Sequence, residues 1–184
     1  MNGPFLWYLN RATGLVLLVL FTVVVVLGIR AASAGARPGR RRVVGAFGWQ
    51  HIHRNLGLLG VVLLALHVVS AVADEYVDIR WWQAFVPFGA TYRPVFLAAG
   101  ALALDILVAV VITALLRQRL GGRGWRVVHQ LSYAAWLASV VHTVGIGTDS
   151  TNPWVLLVLG VCVGSVVVAL SGRFLVGTIR RAAA

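Results

Sequence analysis

Long apolar stretches alternate with short, arginine-rich polar stretches along the whole chain. Five of the apolar stretches have roughly 17–22 residues each, which is enough to cross the hydrocarbon core of a bilayer as a helix. They are residues 12–29, 56–73, 95–116, 127–146 and 154–170. Because a backbone in lipid must satisfy its own hydrogen bonds, we predict an all-α membrane protein with five transmembrane helices.

The connection between the second and third stretches, Asp74–Pro94, is rich in aromatic side chains. They are Trp81, Trp82, Phe85, Phe88 and Tyr92. Aromatic residues of this kind settle at the level of the lipid headgroups. Since Pro87 and Pro94 argue against a continuous helix, we expect a short interfacial helix or a cap over the bundle.

The overall composition agrees with a single transmembrane domain over residues 1–184. Of the 184 residues, 60% are hydrophobic and only 11% are charged, which is typical of a polytopic membrane protein. These residues leave no polar stretch long enough for a flavin or nucleotide domain. Membrane lipid is therefore the expected surrounding of most of the chain.

The positive charge is distributed unevenly between the two ends of the predicted helices. The net charge is +11, and thirteen arginines fall in the connections of one side against three, Arg11, Arg80 and Arg93, on the other. Four of the five acids, Asp74, Glu75, Asp78 and Asp149, fall on the arginine-poor side. By the positive-inside rule we predict that the N-terminus lies outside and the C-terminus lies in the cytoplasm. The charge thus reports topology, and we expect no nucleic-acid partner.

Four histidines occur in two pairs, each pair belonging to one predicted helix. His53 and His67 are 14 residues apart, and His129 and His142 are 13 apart. At the helical rise these separations are roughly 21 Å and 19.5 Å, most of the thickness of the hydrocarbon core. Both helices run in the same direction, so His53 shares its depth with His129, and His67 shares its depth with His142.

Two imidazoles at one depth on neighbouring helices suit the axial positions of a haem iron. We therefore predict two stacked b haems, one held by His53 and His129 near the cytoplasm and one by His67 and His142 nearer the outside. The chain has one cysteine, Cys162, and no C-x-x-C-H motif, so the haems are expected to be non-covalent. The opposing interpretation is that the histidines only pack or relay protons.

The helical phase agrees with one pair better than with the other. His53 and His67 lie within about 40° of one face, whereas His129 and His142 differ by about 140° on an ideal helix. Either the two haems are approached from different sides or the fourth helix is locally distorted, and the sequence leaves both open. His51 is predicted to be interfacial and is the fallback ligand in place of His53.

Haem propionates require cationic or hydrogen-bonding partners. Arg54 follows His53 directly and Arg126 lies three residues before His129, so both are candidates at the cytoplasmic edge. Their other interpretation is topology and snorkelling to headgroups. Arg80 and Arg93 are weaker candidates for the outer haem.

Two further features within the predicted helices lack an assigned partner. Asp105 is the only acid inside a span, and we expect it to face the bundle and to be neutral or hydrogen-bonded, either for packing or to tune a haem potential or couple electron transfer to a proton. Gly160 and Gly164 form a G-x-x-x-G motif, which leaves a homo-oligomer open.

The H-x13-H and H-x12-H spacings, on helices in this order, resemble the ferric reductase-like transmembrane family. The stretches LWYLNRATGLVLLVLFTVVVVLG, HRNLGLLGVVLLALH and GWRVVHQLSYAAWLASVVH are similar to its short actinobacterial members. The resemblance covers nearly the whole chain, but the extra N-terminal helix and the FAD/NADPH domain of the larger oxidases have no counterpart here.

The resemblance implies a haem-binding electron-transfer domain rather than a complete reductase. The expected function is electron transfer from a separate flavoprotein to an acceptor on the outer side, which would be ferric iron, oxygen or a periplasmic redox partner. One alternative replaces the flavoprotein with membrane quinol. Another alternative is a non-redox helical subunit or transporter.

Overall fold

The computed structural model describes residues 5–34, 40–74 and 79–182, with the backbone alone for residues 34, 40–47 and 179–181. Arg37, Glu75 and Asp78, which contribute to the predicted charge asymmetry, lie outside the described residues. The described chain is all-helical, which confirms the predicted class. The α-helices are α1 Phe5–Ala34, α2 Arg40–Ala73, α3 Pro94–Leu115, α4 Arg117–Gln130, α5 Ser132–Ile146 and α6 Pro153–Ala182.

Four of the five predicted spans lie in helices that are long and apolar enough to cross a membrane. These helical segments are Phe5–Ser33, Gly48–Ala73, Pro94–Leu115 and Pro153–Thr178. The remaining predicted span, 127–146, is divided between the end of α4 and the whole of α5. The aromatic connection carries one short 3₁₀ helix, Trp81–Ala84, which packs against α3 as the expected cap.

The division between α4 and α5 is a tightened helical turn at Leu131. The N–H of Leu131 donates to the carbonyl of Val128, three residues back, at 3.0 Å. Ordinary helical bonding resumes with Ala135, whose N–H donates to Leu131 at 2.9 Å. Such a 3₁₀ turn changes the phase of the residues that follow. Of the two alternatives left open by the spacing of His129 and His142, the structure therefore has the local distortion.

Helix α1 is the centre of the bundle. Of its apolar window 44% is buried, against 11%, 22% and 17% for the windows of α2, α3 and α6. It packs on α2, α5 and α6, whereas α3 packs mainly on α5 and α4. The other helices present large apolar side chains outward, for example Val62, Val69 and Val168 at 66%, 64% and 70% exposure. An apolar outer surface of this kind is what a lipid environment favours.

One polar contact crosses the buried part of the bundle between α1 and α5. The indole Nε1 of Trp136 donates to the hydroxyl of Thr22 at 2.9 Å, and both residues are buried. The hydroxyl of Thr22 in turn donates to the carbonyl of Leu18, one turn back in α1, at 2.7 Å. This contact satisfies an indole N–H that would otherwise be buried without an acceptor.

We expect Thr22→Val to lower the stability of the detergent-solubilised chain by about 1 kcal/mol, because it keeps the side-chain shape but leaves the Trp136 N–H unpaired. Thermal unfolding followed by circular dichroism measures the change. The matched control is Thr113→Val in α3, since Thr113 bonds only to carbonyls of its own helix. Equal losses in the two variants would contradict this account.

Candidate functional site

The structure brings the four histidines together in the two predicted pairs. The ring centroids of His53 and His129 are 5.9 Å apart, with the ring planes inclined at 68°. Those of His67 and His142 are 6.4 Å apart, with the planes inclined at 87°. It is thus the ring of His53 that faces His129, while the fallback residue His51 is exposed on α2.

Three of the four imidazoles are oriented by a main-chain carbonyl of a neighbouring helix. Nδ1 of His53 lies 2.9 Å from a carbonyl of α1, Nδ1 of His67 3.2 Å from another carbonyl of α1, and Nδ1 of His142 2.9 Å from a carbonyl of α3. A carbonyl only accepts, so in each ring Nδ1 carries the proton. The other nitrogen, Nε2, then has a free lone pair, which is the tautomer that a metal ligand requires.

Each of these carbonyls belongs to a residue four positions before a glycine of the same helix. The three combinations, which we call glycine seats, are Val24–Gly28 for His53, Asn10–Gly14 for His67 and Phe96–Gly100 for His142. A Cβ on the glycine would lie 3.3 Å from the ring of His53, 3.1 Å from that of His67 and 2.5 Å from that of His142. The glycines therefore sit directly against the imidazoles.

The geometry of the helix explains why the glycine stands at the fourth position. A helical side chain leans toward the N-terminus and covers the turn before its own Cα. A side chain four residues after the accepting carbonyl would therefore cover that carbonyl. Without one, the imidazole approaches the backbone closely enough to bond to it. Gly14 and Gly28 in α1 are 14 residues apart, as are His53 and His67 in α2. This shared spacing is a sequence signal for the glycine seats that the positions of the histidines alone do not provide.

His129 lacks a seat of this kind. Its ring stacks on that of Trp125, one turn earlier in α4, with centroids 5.1 Å apart and planes inclined at 29°. Within the described ranges neither Nδ1 of His129 nor Nε1 of Trp125 has a hydrogen-bond partner, although both atoms are buried. The end of the bundle nearer the arginine-rich connections thus offers two buried nitrogens without protein partners.

A cavity of about 190 Å³ adjoins the other pair, with both His67 and His142 in its lining. Arg11 lies at this cavity, and its guanidinium donates to the hydroxyl of Thr148 at 3.0 Å and pairs with Asp149 at 3.6 Å. From the sequence, Arg11 was interpreted only as a topology signal. Its position directly before the first predicted span was the available signal for a place at this end of the bundle.

The arginines predicted to bind propionates are placed differently from one another. Arg54 and Arg126 are exposed beside the His53–His129 pair and make no hydrogen bond or ion pair within the part of the chain that the structure describes. The guanidinium of Arg93 donates to the carbonyl of Gly145 and lies over the ring of Tyr92, so it ties the start of α3 to α5. Arg80 caps the short 3₁₀ helix, because its backbone N–H donates to the side-chain Oε1 of Gln83 at 2.8 Å.

Asp105 differs from its expected placement. It is partly exposed on α3, does not line the cavity and makes no hydrogen bond to any described residue. The expected hydrogen bond to a neighbouring helix is therefore not found among the described residues, and the alternative of a neutral carboxyl group stays a prediction. No role near the histidines follows from its position.

The paired imidazoles fit a haem better than a simple metal ion. The described residues contain no group of three His, Cys, Asp or Glu side chains able to hold an ion. A porphyrin iron needs only two protein ligands, one on each side of the ring. With metal–nitrogen bonds of about 2.0–2.1 Å, two opposed imidazole centroids would lie about 6 Å apart. The two measured separations agree with that value.

Comparison with known proteins gives one positive result. The family described as ferric reductase like transmembrane component matches residues 13–140, which is more than half of the chain. This range contains His53, His67 and His129, whereas His142 lies just beyond its end. Neither a curated protein nor a solved structure matches the chain.

We expect Gly100→Ala to displace the ring of His142, because the added Cβ would lie 2.5 Å from Nδ1. If the His67–His142 pair holds a haem, the purified chain should then lose part of it, measured by the pyridine haemochrome method. The matched control is Gly160→Ala in α6, where a Cβ meets open space. Haem content as high in Gly100→Ala as in the control would show that the seat does not determine the position of the ring.

Proposed function

The chain belongs to the ferric reductase-like transmembrane family, and from this membership we propose that it is a membrane cytochrome b with two b haems. Transmembrane domains of this family generally bind haem and carry electrons across the membrane. We further propose that His53 and His129 hold one haem and that His67 and His142 hold the other. The observation that carries the proposal is the presence of two facing imidazole pairs, 14 residues apart along α2, in one bundle.

The spacing of the pairs supports transfer through the membrane. Fourteen helical residues correspond to roughly 21 Å, which brings one pair toward each face of the hydrocarbon core. When bound, haem supplies a one-electron couple at each depth. Each haem would be held by two histidines of this chain, so an outer acceptor would take its electron without binding to the iron.

The protein contributes orientation, charge and exclusion of water. The glycine seats fix three imidazoles in the tautomer that leaves Nε2 free, and the apolar helices around them keep water out. Arg54 and Arg126 are proposed to pair with the propionates of the inner haem, since both are cationic and exposed at that end. Arg11 is the cation closest to the outer cavity and is a better candidate for the outer haem than Arg80 or Arg93.

The proposed direction is from the cytoplasm to the outside of a bacterial inner membrane. The asymmetry of thirteen arginines against three supports a cytoplasmic location for the His53–His129 end. With the inside negative, moving an electron outward is favoured by about 2.3 kcal/mol per 100 mV for a full crossing. The membrane potential therefore assists transfer in this direction.

The electron donor is proposed to be a separate protein or molecule. A flavoprotein on the cytoplasmic side is the first candidate. Membrane quinol is the second, and the buried nitrogens of Trp125 and His129 favour it because a quinone oxygen accepts hydrogen bonds from such groups.

We expect the purified wild-type chain to contain two low-spin haems and to lose one in His67→Ala and in His142→Ala. The loss follows because each variant removes one axial ligand of the outer pair. Haem per chain, together with dithionite difference spectra, measures this. As a control, Asn55→Leu changes an exposed residue of α2 and should keep both haems. A colourless wild-type protein, without bound haem, would contradict the proposal and favour a non-redox helical subunit or transporter.

Vesicles of known orientation test the direction of transfer. We expect a membrane-impermeant acceptor to be reduced when it is on the arginine-poor face and the reductant is on the arginine-rich face. Vesicles made with His142→Ala, which interrupts the outer pair, provide the control. Reduction only in the opposite arrangement would reverse the assigned topology.

A further inference from the structure

His67 is surrounded by polar side chains of two helices, in contrast to the other paired histidines. The amide Nδ2 of Asn10 donates to the main-chain carbonyl of His67 at 2.9 Å and to the hydroxyl of Ser70 at 3.3 Å. The hydroxyl of Ser70 also donates to the carbonyl of His67, at 3.0 Å. Thr13 and Ser70 are both buried. The cluster therefore lies within the α1–α2 contact rather than on the surface.

Asn10 bonds to His67 at two places. Its side-chain amide donates to the His67 carbonyl at 2.9 Å and lies 3.4 Å from Nδ1 of the ring, and its main-chain carbonyl accepts from that Nδ1 at 3.2 Å. The hydroxyl of Thr13 lies 3.3 Å from that nitrogen and also donates to the Asn10 carbonyl at 3.0 Å. One residue of α1 thus fixes both the backbone and the ring of His67.

The seats of the other histidines are made differently. In the part of the chain that the structure describes, His53 and His142 each bond to a single carbonyl through Nδ1, without a side-chain clamp. A change at Asn10 would therefore act on the outer pair alone. The inner pair, in the same molecule, provides an internal control.

We propose that Asn10 is a positioning residue that sets the reduction potential of the haem held by His67. The inference rests on the function proposed above. Donation from Nδ1 to a carbonyl makes an imidazole a stronger electron donor to the metal, and hydrogen bonds of this kind tune haem potentials. A stronger donor favours the oxidised iron. Loosening the clamp weakens the Nδ1 bond, so the outer haem becomes easier to reduce.

The test is a redox titration of purified Asn10→Leu and Asn10→Ala. Both substitutions remove the amide that donates to the His67 carbonyl, leucine with a similar side-chain volume and alanine with a smaller one, and neither introduces a charge or a new acceptor at Nδ1. The matched control is Asn55→Leu, at an exposed asparagine of α2. The outer haem is identified as the one that is missing in His142→Ala.

In both Asn10 variants we expect the reduced-to-oxidised ratio of the outer haem to rise roughly tenfold at a fixed potential, and tenfold corresponds to 59 mV for one electron. The inner haem and the Asn55→Leu control should titrate as in wild type. An unchanged outer haem, or equal shifts of both haems, would overturn the proposal. Purely structural damage lowers haem content without shifting the potential of the haem that remains.

Ser70→Ala covers the case in which an Asn10 variant loses the outer haem altogether. It removes one acceptor of the Asn10 amide and leaves the bond to the His67 carbonyl. A smaller shift in the same direction supports the clamp, and no shift contradicts it. A wild-type chain without haem would refute the proposed function itself, which is distinguishable from a haem-loaded chain whose potential does not respond.

Discussion

The close approach of an imidazole to a helix backbone is the interaction on which this bundle depends. A histidine in an apolar helix has two polar nitrogens to satisfy, and lipid offers no partner for either. In three of the paired histidines, one of these nitrogens, Nδ1, donates to a main-chain carbonyl of a neighbouring helix. That carbonyl is accessible because the residue four positions later is a glycine. The remaining nitrogen, Nε2, then keeps a free lone pair. The same contact thus satisfies one nitrogen of the histidine and sets the tautomer that coordination of a metal, as proposed above, would require.

Helix α1 converts this local contact into a long-range spacing. It runs antiparallel to α2, so that Gly14 meets His67 and Gly28 meets His53. Two glycines at one spacing thus fix two histidines at two depths, and a slip of one helix against the other would disengage both at once. Because the apolar window of α1 is the most buried of the four candidate spans, the distance between the pairs is set by the helix that is best shielded within the described chain. The position of α1 against α5 is further stabilised by the hydrogen bond from Trp136 to Thr22.

The sequence was sufficient for the helical class and for the pairing of the histidines, because both follow from periodicity and depth. It was insufficient where the outcome depended on a neighbouring helix. The turn at Leu131 involves no proline or glycine, and the hydrogen-bonding partner of a ring cannot be inferred from spacing alone. From the sequence, Arg11 was interpreted only as a charge that reports topology, although it lines the cavity. Asp105 was expected to face the bundle, but its exposure depends on the rotation of α3 about its axis, which the sequence does not determine. Gly14 and Gly28 are evident in the sequence, but their role becomes apparent only from the contact of α1 with α2, where they face His67 and His53.

The two ends of the bundle differ in how completely the chain satisfies them. At the end that holds His67 and His142, Arg11 is paired with Asp149, and Asn10 with Ser70 fixes His67. At the end that holds His53 and His129, the nitrogens of Trp125 and His129 are buried without partners in the described chain. Unsatisfied buried groups are costly, so they are expected where another molecule supplies the acceptor. The described chain thus satisfies its polar groups more completely at the His67–His142 end than at the arginine-rich end. This is the end at which electrons are proposed to enter.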